Sequence, residues 1–212
     1  GEIANEMLPY SRRAFESYLE GKEYGEIASS EVWYEERTDF SRAAAGTERI
    51  SHKEVRGYEL LQGKKVFGGR LLGGCLESLY DLLTTTRYAD EQAVCEKYGL
   101  FPSKEEWTGK ILFVETCEEK PRPALFEKEL EALKARGVFD VVAGVIVGKP
   151  QDEAFYEEYK EIWQKTVNND RLPIVYNVNF GHATPRCALQ YGAMARVDME
   201  KKVIIFYKPI DR

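Results

Sequence analysis

Apolar residues are patterned differently on the two sides of Val66. Before it, Leu8, Phe15, Tyr18 and Leu19 recur at helical spacing within LPYSRRAFESYLEG (8–21), with Gly21 as a stop. The stretch that follows, as far as Lys65, is polar and broken by glycines. Trp33, Tyr34 and Phe40 are its anchors, and VWYEERTDF (32–40) has room for a short strand. Such a length without regular elements is unusual inside a compact domain. Residues 1–65 therefore read as a linker or edge region that packs on something outside itself.

From Val66 onward the pattern tightens. GRLLGGCLESLYDLL (69–83) reads as a glycine turn leading into a short helix from Cys75 to Leu83. GKILFVE (109–115) is a buried strand introduced by Gly109. RPALFEKELEALKARG (122–137) is an amphipathic helix, with Pro123 near its start, Gly137 past its end, and Leu125, Phe126, Leu130 and Leu133 as its stripe. DVVAGVIVGKP (140–150) is apolar on both faces, as a central parallel strand is. QDEAFYEEYKEIWQKTVNN (151–169) is a second amphipathic helix with Phe155, Tyr159, Ile162 and Trp163 on one side. PIVYNVNF (173–180) is the next strand, and 193–208 reads as a hairpin around Met199–Lys201. Alternating strands and helices imply right-handed parallel crossovers, here followed by an antiparallel pair, so the fold class is α/β.

Composition changes this picture little. The 212 residues contain 43% hydrophobic and 31% charged side chains, an ordinary globular balance. A net charge of −6 argues against a nucleic-acid partner, which selects a basic face. No apolar run approaches the roughly 20 residues that span a bilayer, and no signal peptide is evident. Gly1 looks like a cloning remnant, so sequence upstream of it is expected. Cys75, Cys95, Cys117 and Cys187 form no CxxC pair and the histidines are His52 and His182 alone, which leaves no zinc pattern. Scattered cysteines suit buried thiols and a cytoplasmic location.

Two strand ends carry the candidate chemistry. His182 follows PIVYNVNF and a glycine, and Glu115 closes KILFV, 67 residues earlier. If the elements between them are two crossovers, both side chains leave one edge of the sheet, where α/β proteins place working residues. A histidine there can move protons near neutral pH, and a carboxylate beside it can fix its tautomer. The plain alternative is a salt-bridged carboxylate and a turn-capping histidine, as in a non-catalytic ligand-binding or interaction module. GRLLGG (69–74) lacks the GK[ST] of a phosphate loop and reads as a turn or a place of close backbone approach. Cys75 at a helix start could hold a thiolate, but neither it nor Cys117 has an evident base, and both read as buried thiols. CEEK (117–120) and YEEYKE (156–161) read as solvated faces, and His52 as exposed.

At LFVETCEEKP (112–121), GVIVGKPQDEAFYEEYK (144–160), PIVYNVNFGHATP (173–185) and GRLLGGCLESL (69–79), the chain resembles the LD-carboxypeptidases, in particular their microcin C self-immunity (MccF-like) branch. Those are serine peptidases with a Ser–Glu–His triad. The resemblance implies a division at residue 65. Residues 1–65 would be the end of an N-terminal domain and an interdomain linker. Residues 66–212 would be a swivelling β/β/α layered C-terminal domain around a central, mainly parallel sheet. It implies that Glu115 and His182 are the triad glutamate and histidine, and that Gly73, Gly74 and Cys75 line the substrate site. The nucleophile serine, with its glycine-rich turn, has no counterpart here and would belong to the missing N-terminal domain. The implied reaction needs no cofactor and no metal. Its substrate would be a muropeptide with an L,D-bond or a peptidyl-nucleotide antibiotic of the microcin C type. The chain would then have no membrane or nucleic-acid partner, would be inactive alone, and could cover its N-terminal aromatics in a homodimer. TTTRY (84–88), the insertion-like stretch 89–107 and Gln190 depart from the family pattern and bear on substrate preference.

Overall fold

A computed structural model of the chain describes residues 7–19 and 25–207. Of the first predicted helix, the side chains of Tyr18 and Leu19 and the stop at Gly21 lie outside the described residues, as do Gly1 and Lys208. In chain order the strands are β1 (Glu26–Ala28), β2 (Val32–Tyr34), β3 (Ser51–Lys53), β4 (Glu59–Gln62), β5 (Val66–Cys75), β6 (Ile111–Glu115), β7 (Gly144–Gly148), β8 (Ile174–Val178), β9 (Met194–Asp198) and β10 (Val203–Tyr207). The helices are α1 (Pro9–Leu19), α2 (Leu76–Asp81), α3 (Glu91–Tyr98), α4 (Lys104–Trp107), α5 (Pro123–Ala135), α6 (Val138–Val141) and α7 (Tyr156–Val167).

Eight strands form one mixed sheet in the order β1-β10-β9-β5-β6-β7-β8-β4, and β2 and β3 form a separate ribbon. The pairs β5–β6, β6–β7 and β7–β8 are parallel and occupy the centre. Antiparallel pairs flank them on both sides. Every residue of β6, β7 and β8 is buried, because both sheet faces are covered. Alternation divides each strand between two cores. Leu112, Val114, Val145 and Val147 pack against Phe126, Leu130, Tyr159 and Trp163 of α5 and α7. Ile111, Phe113, Ile146 and Val175 face the other way and cluster with Phe67, Val197, Ile204 and Phe206 of the antiparallel strands.

Three expectations are corrected. GRLLGG is not a turn: it is the middle of β5, a ten-residue strand whose first half pairs with β9 and second half with β6. Its glycines serve close approach, since a Cβ on Gly69 would lie 2.5 Å from the Gly109 carbonyl oxygen and one on Gly73 only 1.7 Å from that of Phe113. The second amphipathic helix starts at Tyr156 rather than at 151. Before it come a single 3₁₀ turn at Gln151–Glu153 and left-handed residues at Asp152, Glu153 and Phe155. Within the span 1–65, β1 and β4 do find partners in the chain, because they are the two edges of the sheet. Of the expected anchors there, Phe40 is 83% exposed and anchors nothing.

A buried ionic knot pins part of that segment over the carboxyl ends of β7 and β8. Lys149, directly after β7, is 2% exposed. Its Nζ contacts Glu54 Oε2 at 2.9 Å, Glu153 Oε1, and Asn177 Oδ1 at 3.2 Å. Glu54 also accepts from the backbone N–H groups of Arg56 and Gly57. The insertion-like stretch folds as α3, closed by left-handed Gly99, and α4, where Ser103 and Glu106 form a capping box and Trp107 enters the helix-side core. Among the described residues, no helix is long and apolar enough to cross a membrane.

Candidate functional site

The site is built where the central parallel strands end. Glu115 is the last residue of β6, and its side chain is 8% exposed. Two glycines make room for it. A Cβ on Gly148, at the end of β7, would lie 2.6 Å from the Glu115 Cβ. A Cβ on Gly181 would lie 2.4 Å from its Cγ and 2.6 Å from its Oε2. Gly181 also has φ +88°, a conformation that L side chains rarely adopt.

His182 follows on the loop after β8. Asn177 at φ 68° and a register shift in the β7–β8 pairing end that strand at Val178, two residues earlier than the apolar run. The loop is tied down along its length. Phe180 N–H donates to the Val178 carbonyl oxygen and Cys187 N–H to that of Asn179. Ser30 N–H donates to Asn179 Oδ1 at 2.9 Å, and Tyr34 N–H to the Thr184 carbonyl oxygen at 3.0 Å. The β2–β3 ribbon thus buttresses the segment that carries His182. On that ribbon His52 is not free in solvent: its Nε2 contacts Glu35 Oε1 at 2.7 Å and its ring stacks on Trp33.

These two strand ends bring the predicted pair together. His182 Nδ1 lies 2.8 Å from Glu115 Oε2, and the same oxygen accepts the His182 backbone N–H at 3.1 Å. One carboxylate oxygen therefore sets both the ring orientation and the loop. Burial pushes the Glu115 carboxyl above its ordinary pKa, while the hydrogen bonds from His182 hold it down. The ring itself is 41% exposed and carries a second nitrogen that Glu115 does not engage. That nitrogen, Nε2, has Glu118 Oε2 3.3 Å away. Glu118 belongs to the CEEK run expected to be merely solvated, and nothing in its spacing marks it out.

Gly73, Gly74 and Cys75 flank the pair. Cys75 is in register with Glu115 across the parallel β5–β6 pairing. Tyr191, which lies in the ALQYG stretch (188–192), donates its hydroxyl to the Gly73 carbonyl oxygen at 2.8 Å, and a Cβ on Gly74 would stand 3.1 Å from that hydroxyl. Glu77 organises the remainder: it accepts from Cys75 Sγ at 3.1 Å and from Cys117 N–H at 3.0 Å. Burial, with the Glu77 charge added, pushes each of the two thiols up to about 12. Both are held as neutral thiols, which a nucleophilic cysteine is not. All four cysteines are free, with Cys95 and Cys187 buried and Cys75 and Cys117 half-buried. No group of three or more metal-ligating side chains is arranged around an ion among the described residues.

The arrangement has the parts of a general base: an imidazole, a buried carboxylate behind it, and a second ring nitrogen in front, beside the exposed Glu118. Comparison with known proteins places the fold in a family. Residues 68–197 match the LD-carboxypeptidase C-terminal domain. An MccF-like protein from Streptococcus pneumoniae, solved in complex with AMP, is 51% identical and superposes with a TM-score of 0.91 over 95% of this chain and 58% of its own. An MccF-like protein from Bacillus anthracis is 25% identical with a TM-score of 0.71, over 94% of this chain and 56% of its own. A Treponema pallidum protein whose carboxypeptidase name is provisional is 32% identical over 153 residues, which is 70% of this chain and 39% of that protein. The chain thus spans well under two thirds of the relatives it matches. MccF in complex with glutamyl sulfamoyl guanosine shares the fold at 20% identity and a TM-score of 0.71. The chain belongs to the LD-carboxypeptidase family, in its MccF-like branch, and carries that family's C-terminal domain.

Proposed function

We propose that this chain is the glutamate–histidine half of a serine peptidase that hydrolyses an amide bond by acyl transfer. The observation that carries the reading is the 2.8 Å contact from His182 Nδ1 to buried Glu115, on a ring that is itself 41% exposed. A serine hydroxyl from a preceding domain gives its proton to Nε2 as its oxygen attacks the carbonyl carbon. Glu115 accepts the Nδ1 proton's hydrogen bond throughout and stabilises the imidazolium. His182 then passes the proton to the leaving nitrogen as the carbon–nitrogen bond breaks, leaving an acyl-serine. Water, deprotonated by the same nitrogen, releases the acid. In this reading residues 66–212 are the swivelling domain that meets the nucleophile domain, and Gly73, Gly74 and Cys75 line the cleft between them. The substrate is a muropeptide L,D-bond or a peptidyl-nucleotide antibiotic of the microcin C type, and the location is cytoplasmic.

The test compares two proteins: the 212-residue chain, and a version extended by the preceding domain. Both are assayed on an L,D-tetrapeptide and on an aminoacyl sulfamoyl adenosine. The extended protein is expected to hydrolyse one of them and the chain alone neither. Turnover by the chain alone, traced to no contaminant, would overturn the division of labour.

A further inference from the structure

Glu118 places a second carboxylate on the side of His182 where the bond is cut. Its Oε2 lies 3.3 Å from Nε2, the nitrogen that must exchange protons with the nucleophile and the leaving group. A general base works within hydrogen-bond reach of the atom it serves, so the Glu118 oxygen falls within about 6 Å of the reacting centre. Glu118 is 57% exposed, on the turn that leaves β6, so its side chain can swing aside for a serine hydroxyl while its charge stays near the cleft. Among the described residues, His182 is the sole ion partner of Glu118. The lysines that follow the two strands are already engaged: Lys120 with Asp152, and Lys149 with Glu54 and Glu153.

We infer that Glu118 is a specificity-determining residue that selects substrates with a free ammonium group next to the scissile carbonyl. The inference rests on the proposed reaction and narrows its substrate class. An aminoacyl group with an unmodified α-amine carries that charge. A muropeptide L,D-bond does not: the amine beside its scissile carbonyl is acylated, and its leaving amino acid brings a carboxylate that Glu118 repels. An ammonium and a carboxylate about 5–6 Å apart near a protein surface attract enough to change a rate constant by about tenfold or more.

The experiment uses the protein joined to its nucleophile domain. It measures kcat/KM on an aminoacyl sulfamoyl adenosine, on the same compound N-acetylated, and on an L,D-tetrapeptide. Wild type is expected to prefer the free amine over the acetylated form by about tenfold or more. Glu118→Gln should bring that ratio close to one, and Glu118→Lys should invert it, with folding checked by circular dichroism. An unchanged ratio in the folded Gln variant overturns the inference, and so does wild-type turnover of the tetrapeptide alone. Either result leaves the hydrolase reading standing. Turnover of none of the three compounds by wild type removes that reading, and the inference with it.

Discussion

Gly181 shows how finely the dyad depends on single residues. The loop must turn through φ +88° to bring His182 back over Glu115, and the carboxylate fills the space a side chain would need. Glycine satisfies both demands. Glu115 and His182 were legible because each follows an apolar run at a strand end. Gly148 and Gly181 were not, since their reason lies in contacts between segments distant in sequence. Glu118 was hidden for a different cause: an exposed turn residue has no periodicity to betray it. A residue outside the site permits a pH prediction. Glu129 of α5 is 1% exposed, and its Oε2 has no hydrogen-bond partner. Burial, with the charges of Glu77 and Asp81, pushes its carboxyl up to about 8. The folded state therefore keeps a proton that the unfolded chain releases above about 4.5. Stability from this group is greatest below that value and is lost as pH rises toward 8. Glu129→Gln should match wild type at pH 5 and exceed it at pH 9 by a few kcal/mol, at most about 4. Urea titrations at the two pH values measure the difference. Equal stability of both proteins at pH 9 would show that Glu129 is ionised in the fold at no cost.

At the scale of elements, the parallel core was readable because its strands are continuous apolar runs. β6, β7 and β8 are buried on both faces, and no soluble arrangement other than an enclosed sheet tolerates three such strands. The α5 stripe was readable for the matching reason, although Leu125, counted within it, is 42% exposed. The sequence of β5 reads as a turn because glycine density signals a bend in most contexts. Here Gly69 and Gly73 instead let two backbones approach across strand pairings. The short edge strands β1 and β4 were invisible, since three or four residues carry too little pattern to register. Their presence alters the expected stability map of residues 1–65. Amide exchange should be slow in β6, β7 and β8, intermediate in β1 and β4, and fast across 38–49, where nearly every residue is exposed. Hydrogen exchange followed by mass spectrometry checks this at a dilution that excludes dimers. Protection across 38–49 equal to that of the central strands would show that the segment is packed in a way its exposure here does not convey.

At the scale of the whole molecule, topology does the work that pattern could only imply. Two parallel crossovers carry the chain from β6 through β7 to β8, so the carboxyl ends of all three strands meet on one edge. Glu115 and His182 meet there although 67 residues separate them. Under the proposed function the nucleophile lies in a preceding domain. The relatives extend well beyond the region matched, and the side chain that stands before His182 Nε2 is Glu118. The central claim is that this dyad is the base of a peptidase. Its most direct test is kcat for His182→Ala in the protein that carries both domains, measured on whichever compound the wild type hydrolyses. Because triad members act as a unit, the account predicts a loss on the order of 10³-fold or more with folding intact. A variant that folds and keeps a kcat near that of wild type would contradict it.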